Sequence, residues 1–173
     1  MSYRITKTYG HDLGLSACFR QPKATSHCRF LHGYALSFKF TFEADTLDEN
    51  NWVLNFGALK PLKAWLEQTF DHKLLVAEDD PARDYLQRLA SPLGMPVVAG
   101  TSAMGWHQPV ADALVLPAIG CEAFAKLAFD KASYLLAEMT TRQVAPLING
   151  VRVVEVEVRE HGANSAIYMG EGR

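Results

Sequence analysis

Apolar and polar residues alternate most regularly along residues 36–43, which predicts a β-strand with two unlike faces. The apolar face would carry Leu36, Phe38, Phe40 and Phe42, and the polar face Ser37, Lys39, Thr41 and Glu43. Because successive side chains of a strand point in opposite directions, we expect the phenylalanine face to line the core.

Looser alternation predicts further strands towards both ends of the chain. They cover residues 3–9, 13–19, 52–55, 151–160 and 165–170. The last two are separated by a short turn that contains Gly162 and Asn164, which is typical of a hairpin. Strands that follow one another in this way favour an antiparallel sheet.

Apolar residues at spacings of three and four predict two amphipathic helices between the strands. The first begins after Asn55, which is a good N-cap residue. Its apolar face carries Leu59, Leu62, Leu66 and Phe70. The second helix covers about residues 121–139, and residues 80–112, rich in proline and glycine, are predicted to form an irregular excursion with a short helix near its start. This order of elements indicates an α+β fold.

The composition is that of a single globular domain covering residues 1–173, with 49% apolar and 21% charged residues and a net charge of −2. The charge balance shows no basic excess of the kind typical of nucleic-acid or membrane partners, so we expect neither. No apolar stretch suits an export signal or a membrane span. We therefore expect a cytoplasmic protein in which Cys18, Cys28 and Cys121 are free thiols.

Glu160 is the first candidate for a binding residue, because it falls on an apolar face. On the predicted strand, Val154, Val156 and Val158 share that face with it. A carboxylate there costs free energy unless a partner satisfies it, and a guanidinium-like group would bind both of its oxygens. The alternative is that the strand ends at Glu160 and the carboxylate reaches water.

Reactive side chains also cluster just before the strongest strand, at Cys28, His32 and Tyr34. A cysteine near a histidine can serve as a nucleophile or a general base, although free cysteines are more often inert core residues. Asp71 and His72 form a further candidate pair, because a carboxylate can orient an imidazole that carries protons. A solvated turn would have the same two residues, so both interpretations stay open.

Six segments occur in a fixed order along the chain: SACFRQP, HCRFLHGYALSF, LNFGALK, FDHKLL, GCEAFAKLAF and VEVREHGANSAIY. Together they resemble the 6-pyruvoyltetrahydropterin synthase / 6-carboxytetrahydropterin synthase family, the QueD-like proteins, over most of the chain except residues 80–112. The resemblance implies the tunnelling fold (T-fold), an antiparallel four-stranded sheet with two main helices on one face. It also implies a homo-oligomer, a trimer or hexamer, with pterin sites between subunits.

The resemblance also implies roles for particular residues. Cys28 occupies the position of the family's catalytic cysteine, and Asp71 and His72 match the pair that completes its proton relay. Glu160 matches the glutamate that anchors the pterin, in agreement with its place on an apolar face. Glu122 matches a glutamate at the start of the second helix and is expected to bind substrate as well.

The chain departs from the family at the metal site. The family's zinc is held by three histidines, of which His32 is present here. Phe19 and Tyr34 occupy the other two positions, and phenylalanine cannot coordinate a metal. Because a catalytic zinc needs about three protein ligands, we expect no tight zinc site.

The implied function is that of a lyase acting on a dihydroneopterin triphosphate-like substrate, with Cys28 as general base. For a QueD-like protein this activity would belong to queuosine biosynthesis. The alternative is a metal-free pterin or purine binding protein that has lost the standard reaction. A third hypothesis is a metal-free pterin aldolase, or an unrelated Cys–His hydrolase, that uses the same residues.

Overall fold

A computed structural model describes residues 2–91, 109–141 and 150–170. The strands in these ranges are β1 (Tyr3–Tyr9), β2 (Leu15–Phe19), β3 (His32–Ala44), β4 (Lys73–Ala77), β5 (Asp112–Leu116), β6 (Arg152–Arg159) and β7 (Ser165–Met169). The α-helices are α1 (Lys60–Phe70), α2 (Arg83–Arg88) and α3 (Cys121–Thr141), and short 3-10 helices occur at His11–Leu13, His27–Arg29 and Phe56–Leu59. None of the described helices is both long and apolar enough to cross a membrane.

β3 is the central strand, and its length of 13 residues lets it pair with three others. β1 and β2 share one edge of β3, where Tyr9 pairs with Phe38 and Leu15 pairs with Leu36. β6 occupies the other edge from Ser37 onward, so the start of β3 extends past the end of β6. The strand order across the sheet is β5-β4-β2-β3-β6-β7, with β1 beside β3.

The predicted four-stranded antiparallel sheet is wrong in the number of strands and in their direction. Within the described residues the sheet has seven strands, and β4 pairs in parallel with both β2 and β5. The sequence of β4, KLLVA, is buried at four consecutive positions, so it lacks the alternation of a strand with one wet face. The α+β class and the two main helices on one face are as predicted.

Helices α1 and α3 pack against the phenylalanine face of β3. Phe38, Phe40 and Phe42 of that face are fully buried. The ring of Phe70 in α1 lies 4.7 Å from the ring of Phe38 and 5.3 Å from that of Phe124 in α3. Burying a phenylalanine side chain contributes roughly 1.5–3 kcal/mol, so these aromatic contacts fix both helices on the sheet.

A second, smaller apolar cluster lies on the opposite face of the sheet. Leu74 and Val76 of β4 pack there with Leu86 of α2, and the half-buried Cys18 lies against them. The excursion predicted at residues 80–112 is therefore partly regular, because α2 and the first residue of β5 belong to it. Its remaining central part, residues 92–108, lies outside the described residues.

The strand predicted at residues 52–55 is wrong. These residues lead into the 3-10 helix that precedes α1, and no strand forms there. The Asn55 side chain caps that 3-10 helix by accepting a hydrogen bond from the Gly57 N–H at 2.8 Å. The capping signal is therefore real, but it marks the 3-10 turn and not the first turn of α1.

A bulge in β6 changes which of its side chains face the core. The pairing of β6 with β3 shifts by one residue between Val153 and Glu155. Val153 therefore faces the core together with Val156 and Val158. Val154, which the alternation places on that face, is only half-buried. Glu160 directly follows β6, on the side to which Val158 points.

An ion pair connects the end of β2 to the turn after β4. The Arg20 guanidinium donates from Nε to Asp80 Oδ2 at 2.8 Å and from Nη2 to Asp80 Oδ1 at 2.6 Å. The Asp80 side chain is only 1% exposed, and its Oδ1 also accepts a hydrogen bond from the Ala82 N–H at 2.7 Å. The hydrogen bonds from Arg20 hold the pKa of Asp80 below its usual value.

Asp80→Asn should destabilise the protein by about 3 kcal/mol at pH 7, because it leaves the Arg20 charge without its buried partner. Since folding lowers the pKa of Asp80, its contribution is present above the unfolded-state pKa and is lost as pH falls through the folded-state pKa. The gap between wild type and variant in urea denaturation should therefore close below about pH 4. Asp79→Asn, which breaks the exposed pair with Lys23, is the control and should change little. Equal stability of Asp80→Asn and wild type at pH 7 would contradict this account.

Candidate functional site

A cavity of about 430 Å³ lies where β6 ends and β3 continues, between the start of α3 and the turn from β6 to β7. Its lining residues are Gln21, Gly120, Cys121, Glu122, Glu160, Ala163, Asn164, Ser165 and Ala166. The lining contains carboxylates and amides but no basic side chain. Such a cavity suits a small ligand that is rich in N–H donors.

A larger groove of about 550 Å³ lies at the opposite end of β3. Most of its surface comes from apolar side chains, including Tyr3, Leu47, Trp52 and Phe56. It contains none of the residues predicted to act chemically. The smaller cavity is therefore the candidate site, because its side chains, and not its volume, are suited to recognition.

Glu160 is half-buried in the cavity, with the thiol of Cys121 beside it. Burial raises the pKa of Cys121 to about 12, and the charges of Glu160 and Glu122 and a hydrogen bond to Glu160 act in the same direction. The thiol is therefore neutral near pH 7 and lies beside the Glu160 carboxylate. Cys121 supports the acid and is not a nucleophile.

Helix α3 begins at the cavity, because Gly120, Cys121 and Glu122 all line it. The first turn of a helix has N–H groups without an intrahelical acceptor, and here the Phe124 N–H is bonded to the Gly120 carbonyl at 2.9 Å. Gly120 has a φ of 119°, and a Cβ atom there would lie 2.5 Å from Nε2 of Gln21. The positive φ favours glycine at this position, and the residues of the first helical turn that follow it line the cavity.

Cys28 is connected to the cavity through Gln21. The Gln21 N–H donates to the Cys28 carbonyl at 2.8 Å, and the Gln21 side chain donates from Nε2 to the Ile119 carbonyl, also at 2.8 Å. Cys28 is half-buried in its 3-10 helix, and its N–H is bonded to the hydroxyl of the N-cap residue Ser26. Gln21 therefore ties the cysteine loop to the start of α3.

Asp71 and His72 form the expected pair, but they lie apart from Cys28 within one chain. His72 Nδ1 lies 2.6 Å from Asp71 Oδ1, and the imidazole is 85% exposed. β4, which begins just after His72, pairs with β2 at Ala17, whereas Cys28 is bonded to Gln21. Four residues of extended chain separate these positions by about 13 Å. Among the described residues, no hydrogen bond or ion pair joins the Asp71–His72 pair to Cys28.

Phe19, His32 and Tyr34 converge on one another, as the three corresponding histidines of the family would. Phe19 pairs with His32 across β2 and β3, and Tyr34 lies two residues further along the same face of β3. Their ring centroids are 5.3 Å (Phe19–His32), 5.4 Å (His32–Tyr34) and 6.0 Å (Phe19–Tyr34) apart. Three imidazoles around a tetrahedral zinc would be roughly 5 Å apart, given zinc–nitrogen bonds of about 2.0–2.1 Å. The three rings therefore have the spacing of a three-histidine zinc site, although only His32 is a histidine.

These side chains do not fit a zinc ion. Phe19 has no donor atom, and His32 Nδ1 lies 2.7 Å from the Phe30 carbonyl oxygen. Burial, followed by the charge of Glu160, raises the pKa of Tyr34, which keeps the phenol protonated. Across residues 2–91, 109–141 and 150–170, no group of three His, Cys, Asp or Glu residues could hold a metal ion.

Comparison with known families shows to which family the chain belongs. Residues 11–171 match the model of the 6-pyruvoyl tetrahydropterin synthase family. The chain belongs to this family. It is also similar to a protein of Aquifex aeolicus named 6-carboxy-5,6,7,8-tetrahydropterin synthase, with 27% identity over 182 residues that cover 99% of this chain and 100% of the relative.

Solved structures share the fold at lower identity. An uncharacterised protein from Wolinella succinogenes has a TM-score of 0.64 at 19% identity and 99% coverage of both chains. A catalytic-residue mutant of Plasmodium vivax 6-pyruvoyltetrahydropterin synthase has a TM-score of 0.61 at 14% identity and 97% coverage of both chains. The Caenorhabditis elegans 6-pyruvoyl tetrahydropterin synthase has a TM-score of 0.51 at 15% identity, covering 99% of this chain and 96% of that one. The chain therefore has the T-fold that its sequence resemblance implies.

The cavity contains two of the predicted residues and two that sequence reasoning missed. Glu160 and Glu122 line it, and Cys28 lies next to it through the contact with Gln21. Gln21 and Asn164 also line it, although neither is a predicted site residue. A glutamine in a polar loop and an asparagine in a turn form no pattern, so only the folded chain reveals them.

Replacing both Phe19 and Tyr34 by histidine should create a zinc site with His32, because the three rings already have the required spacing. We expect about one zinc per chain in the purified F19H/Y34H protein, measured by inductively coupled plasma mass spectrometry. The matched control is F19H/Y34F, which offers only two imidazoles and should bind much less zinc. A folded F19H/Y34H protein with no more zinc than this control would show that the spacing is not that of a ligand set.

Proposed function

We propose that this member of the family is a pterin-binding lyase that acts on a dihydroneopterin triphosphate-like substrate. The observation that carries the proposal is the Glu160 cavity, where a carboxylate acceptor lies next to the N–H donors at the start of α3. A pterin has a complementary edge, with a carbonyl acceptor beside two N–H donor groups. Hydrogen bonds from paired N–H donors to a carboxylate are directional and stronger than neutral ones.

A pterin bound through this edge would direct its side chain out of the cavity. The substituted carbon of the bicyclic ring lies at the end opposite the edge that Glu160 would bind. Cys28 lies next to the cavity, joined to it by Gln21. In the proposed reaction Cys28 is the general base that removes a proton from a carbon of the side chain, and the triphosphate leaves.

The proposed proton relay includes a second copy of the chain. Because Asp71 and His72 do not approach Cys28 within one chain, we infer that a neighbouring subunit of a trimer or hexamer supplies them. His72 has a left-handed φ of 54°, and its imidazole is 85% exposed. A non-glycine residue in this conformation costs of order 1–3 kcal/mol, and such strain is concentrated at functional sites. This geometry supports a role for His72 outside its own subunit.

The alternative is a pterin or purine binding protein without the standard reaction. Phe19 and Tyr34 favour it, because zinc in this family polarises substrate hydroxyls and this chain lacks two of the three ligands. A metal-free aldolase acting on a pterin would use the same cavity. Guanine has the same recognition edge as a pterin, so ligand comparison is required to separate the two classes.

Glu160→Gln should weaken pterin binding at least about tenfold, because hydrogen bonds to a charged carboxylate contribute about 1.5–3 kcal/mol. Isothermal titration calorimetry with pterin, and separately with guanine, would measure the change. Glu155→Gln is the matched control, because Glu155 lies on β6, the strand that Glu160 directly follows, but on the polar face of the sheet. Unchanged pterin affinity in Glu160→Gln would show that Glu160 is not the anchor, and tighter binding of guanine than of pterin by the wild type would support the purine alternative.

Cys28→Ala should lower turnover of 7,8-dihydroneopterin triphosphate at least about 100-fold and leave pterin affinity within about threefold, because the proposed base acts on the side chain and not on the ring. Chromatography of the products and calorimetry on the same protein would measure both. Cys18→Ala, on the opposite face of the sheet, is the control and should keep full activity.

Comparing the wild type with Cys28→Ala decides between the lyase and the binding protein. Pterin binding without turnover by the wild type would support the binding protein, and full turnover by Cys28→Ala would exclude Cys28 as the base. Metal analysis of the wild type tests the expectation that the chain has no tight zinc site. One zinc per chain that is lost together with activity on chelation would overturn our expectation for the metal.

A further inference from the structure

We propose that the Tyr34 hydroxyl binds a hydroxyl group on the side chain of the substrate and so positions that side chain. Tyr34 would act at the place where the family's zinc would contact the same group. The inference rests on the proposed function, because it requires a heterocycle anchored at Glu160.

Tyr34 lies between His32, which matches a zinc ligand of the family, and His161, which follows the cavity residue Glu160. On one side its ring centroid is 5.4 Å from that of His32, and on the other it is 6.0 Å from that of His161. His161 directly follows Glu160 in the turn that lines the cavity. The contact with His161 therefore places Tyr34 close to the proposed ring anchor, Glu160.

The packing beneath Tyr34 fixes the position of its ring. Phe19 is 1% exposed, and its ring meets that of Phe124 edge-on at 5.3 Å. The Tyr34 ring lies 6.0 Å from the Phe19 ring, and the Tyr34 backbone is paired with Ala17. A side chain held by both its backbone and its ring presents its hydroxyl at a defined point, as a positioning residue must.

The hydroxyl of Tyr34 is available to a ligand. Among the hydrogen bonds between described residues, none engages it, and no buried side-chain nitrogen or oxygen atom of that part of the chain lacks a partner. The Tyr34 hydroxyl is therefore accessible, in agreement with the half-buried state of the residue. A phenol both donates and accepts hydrogen bonds, which matches an alcohol, whereas a phosphate offers mainly acceptors. The complementary group on the substrate is thus a side-chain hydroxyl.

The ligand geometry agrees with this assignment. A bicyclic heterocycle whose N–H edge binds Glu160 carries its substituent at the far end of the ring. If Cys28 is to reach a carbon of that substituent, the substituent must pass the region between Glu160 and Cys28. Tyr34 borders the Glu160 end of this region, because its ring lies 6.0 Å from that of His161, the residue that follows Glu160.

Tyr34→Phe tests the inference, because it removes the hydroxyl and keeps the ring. The probes are neopterin, whose side chain is a trihydroxypropyl group, and unsubstituted pterin. We expect neopterin to bind roughly fivefold more weakly to the variant than to the wild type, and pterin to bind equally to both, as measured by calorimetry. The control is Tyr168→Phe, whose ring packs 5.1 Å from Phe129 and does not line the cavity.

The outcomes separate this inference from the proposed function. A wild-type protein that binds neither compound would overturn the proposed function and the inference together. A wild-type protein that binds pterin, with the same neopterin-to-pterin affinity ratio in Tyr34→Phe, would overturn the inference alone. An equal loss for both ligands would mean that Tyr34 only supports the fold, which also overturns it. A loss confined to neopterin, and absent from Tyr168→Phe, would support the role of the hydroxyl.

Discussion

The pairing of β3 with β1, β2 and β6 is the constraint on which the rest of the structure depends. Its alternation places Phe38, Phe40 and Phe42 in the core, and the same period carries Tyr34 onto the helix side beyond the end of β6. A shift of the register by one residue would turn each of these side chains to the opposite face. Core packing and site geometry are therefore two results of a single strand register.

The recognition chemistry of the cavity comes from the meeting of a strand end with a helix start. The strand end brings the Glu160 carboxylate, and the helix start brings N–H donors that follow Gly120. Burial keeps Cys121 as a neutral thiol beside that carboxylate. Gln21 holds the two neighbouring segments at a fixed spacing through its bonds to Cys28 and Ile119. A lining with carboxylates and without a basic side chain suits an N–H-rich edge better than an anion.

The parts of the fold that could be predicted are those in which one face is buried and the other is wet. This condition holds for β3, α1 and α3, and their periods reveal them. It fails for β4, which is covered on both faces, and so the parallel extension of the sheet has no signature in the sequence. For the site, motif matching and the apolar face both indicated Glu160, although the bulge in β6 shows that Val153 and not Val154 shares its face. The distance between Cys28 and His72 depends on strand register, which no local pattern contains.

Phe19 bears on how the two parts of the proposed site, the Glu160 anchor and the ring cluster on β2 and β3, relate to each other. In its present form the residue is a core side chain, packed against Phe124 and almost inaccessible, where an imidazole without a metal would need a hydrogen-bond partner. Phe19 therefore contributes to the packing of the subunit. Under the proposed function, the absence of two metal ligands on β2 and β3 would remove one means of polarising the substrate, while Glu160 would remain as the anchor. Tyr34 contacts both Phe19 and His161, so it lies between the ring cluster and the turn that holds Glu160. Its ring can pack while its hydroxyl can bind a ligand.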